Sequence, residues 1–307
     1  MMVRRLELPV TPELAGIRVD TLLRKHLHLS GTVIRRIKWL EDGILLDGQR
    51  VNTRFVPRAG QTLSVRLSDP ERTAGIPPVP GELDIVYEDM DLVVINKAPG
   101  VPVHQGPGHY DDTVGNFLLY HYDQEGECAD FHPVHRLDRG TSGLLVAAKH
   151  PHAQEGLKNQ LHTGAFRRTY LAVCEGRLRP PEGKIDLPLG PKPGSLIEQM
   201  VRPDGKSAVT RYKTLEAGEG FSLLKLELET GRTHQIRVHL AHLGHPLLGD
   251  FLYGRECRTP GRPALHSAHL SLLHPLTGAR LELDAPLPAD LRALLTGSCL
   301  GETPPGA

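Results

Sequence analysis

The chain has 307 residues, with 36 Lys/Arg balancing 36 Asp/Glu, and it is 39% hydrophobic and 23% charged. These proportions belong to a globular protein with room for two domains and exclude disordered or collagen-like classes. Met1 to Val10 carries no basic-then-apolar leader, no long apolar run follows, and Cys128, Cys174, Cys257 and Cys299 show no Cys-x-x-Cys spacing. The expectation is a cytoplasmic protein with no membrane partner, disulfide framework or zinc ribbon.

From the N-terminus, Val19 to Leu27 and Thr32 to Leu40 carry apolar residues at helical spacing. Leu23 and Leu27, and Val33, Ile37 and Leu40, should face inward, with Arg35 and Lys38 outward. Ile44-Leu45-Leu46 and Gln49-Arg50-Val51 flank Asp47-Gly48. That pair favours a hairpin, because a type I′ turn needs positive φ at both central residues. Leu63, Val65 and Leu67 alternate as in a half-buried strand. The reading is a compact α+β module over residues 1–70. A Pro/Gly-rich stretch around Ala74 to Gly81 then predicts a linker over 71–81.

The second domain, 82–298, reads as many short strands with a few helices. Leu83 to Tyr87 and Leu92 to Asn96 form a hairpin around Glu88 to Asp91. Leu144 to Ala148, Thr169 to Glu175, Ser222 to Glu229, Leu265 to Leu273 and Ala279 to Leu283 read as further strands. Pro151 to Gly164 reads as a helix burying Ala153, Leu157 and Leu161. Thr233 to Gly244 reads as another, with Thr233 as N-cap and Ile236, Leu240 and Leu243 inward. Strands and helices do not alternate regularly, so the expected fold is α+β with a largely antiparallel mixed sheet and flanking helices. Residues 299–307 are expected to form a flexible tail.

Charge is zoned along the chain. Arg18 to Lys38 holds six Lys/Arg against one acid, Lys149 to Lys213 twelve against six, and Gly81 to Asp130 eleven acids against Lys97 alone. One basic face and one acidic back would explain this, as would chance segregation on a solvated surface.

Chemistry could reside in three places. His234, His239, His242 and His245 cluster at one helix, but without a His-Glu-x-x-His pattern or a nearby thiolate they give little support to a metal site. Thr230 to His239 sets a helix N-terminus, suited to an anion, beside Arg232 and Arg237. In His135-Arg136-Leu137-Asp138-Arg139-Gly140-Thr141-Ser142-Gly143 an acid stands between two arginines just before an apolar strand. The arginines favour an ionised carboxylate that could act as a nucleophile. A structural Arg–Asp pair fixing a loop would look the same.

The stretch HRLDRGTSGLLVAAK, His135 to Lys149, resembles the signature of the RluA-type pseudouridine synthases. Leu83 to His104, Arg168 to Glu175, Leu228 to Gly254 and Ala264 to Pro288 resemble further blocks of that family in the same order. Lys97-Ala98-Pro99-Gly100 departs from the commoner Lys-Pro-x-Gly order, and Arg139 stands where the family varies. The N-terminal module resembles, less specifically, the RNA-binding module named after ribosomal small-subunit protein four.

The resemblance implies isomerisation of uridine to pseudouridine in RNA, a redox-neutral reaction that needs no cofactor or metal. It implies Asp138 as the covalent carboxylate, Tyr170 as the residue stacking on the flipped base, and Arg237 as the basic partner of Asp138. Arg136 would help extrude the uridine, Leu240 would wall the uracil pocket, and Arg35, Arg36 and Lys38 would hold RNA on the N-terminal module. Ribosomal RNA of the large subunit is the favoured target, transfer RNA the runner-up, and a monomer the default. Two rival readings are an inactive RNA-binding protein of the same fold and a metal-dependent hydrolase using the histidines.

Overall fold

A computed structural model describes residues 2–69, 71–72, 75–161, 163–218, 220–254 and 260–296. The expected tail at 299–307, together with Cys257 and Cys299, lies outside these residues.

The chain opens with β1 (Arg5–Pro9), α1 (Val19–Lys25), α2 (Gly31–Ile37), β2 (Ile44–Leu46), β3 (Gln49–Arg50) and β4 (Thr62–Arg66). The strands form a sheet in the order β1-β4-β2-β3, whose apolar face packs on both helices through Leu22, Leu23, Ile34, Ile37, Leu63 and Val65. Asp47 and Gly48 both take positive φ, 49° and 80°, as the hairpin turn requires. The edge strand β1 was not foreseen; Leu6 and Leu8 are only partly buried there.

Next come β5 (Ile85–Glu88), β6 (Leu92–Lys97), α3 (Val114–Gln124), β7 (His132–Pro133), β8 (Ser142–Ala148), α4 (Pro151–Gln160) and β9 (Arg167–Glu175). β10 (Glu182–Asp186), β11 (Leu189–Pro191), β12 (Gln199–Val201), β13 (Val209–Ala217), β14 (Phe221–Leu228), α5 (Gln235–His242), β15 (Leu265–Leu273), β16 (Arg280–Asp284) and α6 (Ala289–Leu295) complete the chain. Ten of these strands form one sheet along β10-β13-β14-β9-β15-β8-β6-β5, with β16 on β15 and β7 on β8. Every pairing in it is antiparallel except β8 with β15. The expected α+β class therefore stands, with one parallel seam at the centre.

The seam explains the composition of β8. A strand covered on both faces needs apolar residues without alternation, and all seven residues Ser142 to Ala148 are buried. α4 packs on one face through Ala153 and Leu157, while α3 and α5 cover the other through Leu118, Leu119, Ile236 and Leu240.

Helix α5 corrects two expectations. It starts at Gln235, and its N-cap is His234 in the left-handed region (φ 56°), with no side-chain cap from Thr233. Leu243 follows the last helical residue and is 41% exposed, because the inward periodicity ends with the helix.

Ion pairs join the small sheet to the large one. Arg4 forks onto Asp91 (2.7 and 3.1 Å), to which His150 Nε2 also donates at 3.0 Å. Arg36 pairs with the buried Asp69 at 2.6 Å, and Asp69 also meets His132 at 2.6 Å.

Two predictions follow from these contacts. Burial opposes ionisation of Asp91, but the hydrogen bonds from His150 and Arg4 outweigh it and hold the carboxyl well below its usual range. A depressed carboxylate contributes stability above its unfolded value near ~4 and loses it as pH falls through the folded value. Arg4→Ala should therefore cost about 2 kcal/mol near neutrality, and denaturant titrations should show a shallower acid loss than in wild type. Gly143 has φ 104°, and a Cβ there would stand 2.3 Å from the Ser267 carbonyl oxygen across the parallel seam. Gly143→Ala should cost about 3 kcal/mol or more, read as a collapse of Tm or of soluble yield.

Candidate active site

The loop before β8 is anchored from three sides. Asp138 accepts the Thr141 amide through its backbone carbonyl (3.0 Å), and the Arg139 carbonyl accepts the Gly100 amide (2.8 Å). Arg262 donates to the Gly140 carbonyl at 3.1 Å. Lys97, at the end of β6, donates to the carbonyls of Ala98, Val101 and Arg139 at 2.8, 2.9 and 3.2 Å. Burial, with Arg262 adding, pushes the Lys97 ammonium down to about 7. Lys97 and the turn that follows it thus grip the residue next to Asp138.

Asp138 opens onto a cavity of about 520 Å³. Its Oδ2 accepts a hydrogen bond from Arg237 Nη1 at 3.3 Å and lies 3.9 Å from His234 Nε2. No side chain among the described residues bonds its Oδ1, so one oxygen is anchored and the other has no side-chain partner. Arg237 sits on α5, where its Nε and Nη2 fork onto the fully buried Asp250, both at 2.8 Å. Burial works against the Arg237 charge, but the Asp250 hydrogen bonds and charge, with Asp138 adding, raise its pKa above the ordinary value. Asp250 in turn accepts the amides of Leu252 and Tyr253 at 3.1 and 3.3 Å.

His234 and Tyr253 complete this corner. The Tyr253 hydroxyl accepts the Gln199 amide (2.8 Å) and lies 2.7 Å from His234 Nδ1, and its ring lies beneath Arg237. Burial raises the Tyr253 pKa, which keeps the phenol protonated and able to donate to Nδ1. Burial also lowers the His234 pKa. A neutral imidazole that accepts the Tyr253 proton at Nδ1 carries its own proton on Nε2, which lies 3.9 Å from Asp138 Oδ2.

The other expected residues fall as follows. Tyr170 lies on β9 in the cavity wall, and burial raises its pKa. Arg136 is exposed at the rim. Leu240 is 0% exposed within the core, and Ile236, one helical turn earlier, lines the cavity. Arg35, Arg36 and Lys38 lie on and just after α2, away from the cavity wall; Arg36 is held by Asp69, and Lys38 sits 4.8 Å above the ring of Trp39, which is 74% exposed.

The histidines read as a cluster diverge. His234 serves the site, His239 bonds Thr210 and the Leu187 carbonyl, and His245 bonds the Glu175 carbonyl. Sequence reasoning missed Asp250, Tyr253 and the grip of Lys97. Asp250 and Tyr253 fall inside the Leu228–Gly254 block, which was the available signal, but nothing local marks their pairing with α5.

The family described as RNA pseudouridylate synthase matches residues 91–242. An uncharacterized RNA pseudouridine synthase of Bacillus subtilis, YjbO, is 41% identical over 271 residues, covering 88% of this chain and 96% of that one. Ribosomal large subunit pseudouridine synthase D of Haemophilus ducreyi is 37% identical, covering 93% and 92% respectively. Among solved structures, human RNA pseudouridylate synthase domain containing 1 is 27% identical with a TM-score of 0.57, covering 74% of this chain and 99% of its own. An Asp138 loop, a guanidinium-held carboxylate and these relatives converge on one conclusion: the chain belongs to the RNA pseudouridylate synthase family.

Proposed function

We propose that the protein isomerises uridine in large-subunit ribosomal RNA, with Asp138 as the covalent nucleophile. The observation that carries the assignment is the asymmetry of the carboxylate, one oxygen held by Arg237 and the other without a side-chain partner among the described residues. In the reaction Asp138 attacks the nucleoside, the bond from ribose to ring nitrogen breaks, and the base turns. The ribose carbon then joins ring carbon five, the bond to Asp138 breaks to return the free carboxylate, and carbon five loses its proton as the nitrogen gains one. Arg237 sets a positive charge 3.3 Å from the attacking carboxylate. Arg136 at the rim suits the space left by the extruded uridine, where a guanidinium can offset the few kcal/mol of unstacking. Burial holds Tyr170 as a neutral phenol, which supports its stacking role; removing the carbon-five proton would first require its own deprotonation.

Support for the ribosomal target comes from the relatives that carry that name, such as the Haemophilus ducreyi synthase at 37% identity. Residues 1–70 are assigned as an RNA-binding module, with Arg35, Arg36 and Lys38 as its contacts, 71–81 as the linker and 82–298 as the catalytic domain. No described helix is long and apolar enough to cross a membrane; a cytoplasmic monomer is the simplest form compatible with this reading.

Tritium release from RNA labelled at uridine carbon five tests the chemistry. Asp138→Asn should abolish release while retaining RNA binding, and unchanged release would remove the nucleophile assignment. Release should be faster from unmodified large-subunit ribosomal RNA than from transfer RNA. Arg237→Met strands the buried Asp250 carboxylate, so it should lose about 3–5 kcal/mol of stability as well as activity, measured by denaturation and tritium release together.

A further inference from the structure

Arg168 and Tyr170 lie on the same face of β9, one pleat repeat or roughly 7 Å apart, and both line the cavity. Arg168 is only 7% exposed, yet among the described residues its guanidinium has no ion pair and no hydrogen bond, and its Nε is buried without a partner. A permanent cation largely withdrawn from water without a counter-charge is unfavourable, and only its terminal nitrogens keep access to the cavity.

The two acids in the cavity wall do not supply that charge. Asp138 faces Arg237 at 3.3 Å, and Glu229 faces Arg211 at 2.5 Å. Gly231 makes room for the guanidinium, since a Cβ there would come within 3.0 Å of Arg168 Nη1. His135 next to it is neutral, pushed down to about 3 by burial and by the Arg168 charge. Arg136, Lys158 and Arg232 line the same cavity, so the whole wall favours an anion.

We infer that Arg168 binds a backbone phosphate of the RNA inside the cavity, flanking the uridine that stacks on Tyr170. A uracil carbonyl would accept a hydrogen bond from Arg168 but would leave its charge uncompensated; a phosphate supplies both the acceptors and the charge. The position fits, because a base on Tyr170 places its phosphate one ribose away, at the neighbouring pleat. Arg168 thereby fixes the target nucleotide from its backbone while Asp138 acts on the nucleoside.

The inference rests on uridine isomerisation at Asp138, and the experiment separates the two. Full-length wild type, Arg168→Met and Arg168→Lys are compared on total RNA tritiated at uridine carbon five, with KM, kcat, the salt dependence of RNA affinity and Tm measured for each. For Arg168→Met, KM should rise roughly tenfold or more, with a smaller change in kcat. The slope of log affinity against log salt should fall by about one, and Arg168→Lys should restore most of that slope. The Tm of Arg168→Met should equal or exceed that of wild type, because an uncompensated buried charge has been removed. An unchanged KM and salt slope would overturn the phosphate site, as would a Tm below wild type with an unaltered slope. Wild-type protein that released no tritium would overturn the isomerisation reading and this inference with it.

Discussion

The site depends on one guanidinium shared between two carboxylates. Arg237 commits two of its nitrogens to Asp250 in a planar fork, and a third reaches Asp138. The fork fixes the arginine before any substrate arrives, because Asp250 is fully buried and tied to the amides of Leu252 and Tyr253. Without that anchor, a flexible arginine would have to give up rotamer freedom each time it met Asp138. The second carboxylate therefore serves preorganisation: the positive charge that faces Asp138 is already in place.

A second consequence concerns charge. The chain is neutral as a whole, yet the cavity wall carries Arg136, Lys158, Arg168, Arg232 and Arg237 against Asp138 and Glu229. Acids elsewhere serve to join the two sheets and to pair surface bases, as Asp69, Asp91 and Asp204 do. Electrostatic attraction for RNA is thus concentrated at the place where a nucleotide must enter.

Legibility from sequence followed the range of the interactions. Strand Leu265–Leu273 and the buried face of α4 could be read from local pattern, and Asp47-Gly48 gave its hairpin away through turn chemistry. Strands β10 to β13 escaped notice because short, turn-interrupted and half-exposed segments leave little periodicity. Helix α3 was hidden in a zone read for its acidity, although Thr113 and Asn116 form a capping box there. In the site, Asp138 and Arg237 were reached through family resemblance, since 99 residues separate them. The isolation of Arg168 was invisible, because burial of a charge without a partner is a property of the folded whole.

The parallel seam carries a consequence for synthesis. Leu265, which closes the wall of the cavity, and Ser267, which lies against Gly143, enter the chain more than a hundred residues after Asp138. A nascent chain that has already exposed the Asp138 loop still lacks the strand that shapes its pocket, as well as Arg262, which grips Gly140. Closing so long a loop has its own entropy cost, repaid only when β15 inserts between β8 and β9. A chain still in synthesis therefore has no complete pocket until β15 has emerged and taken its place between β8 and β9.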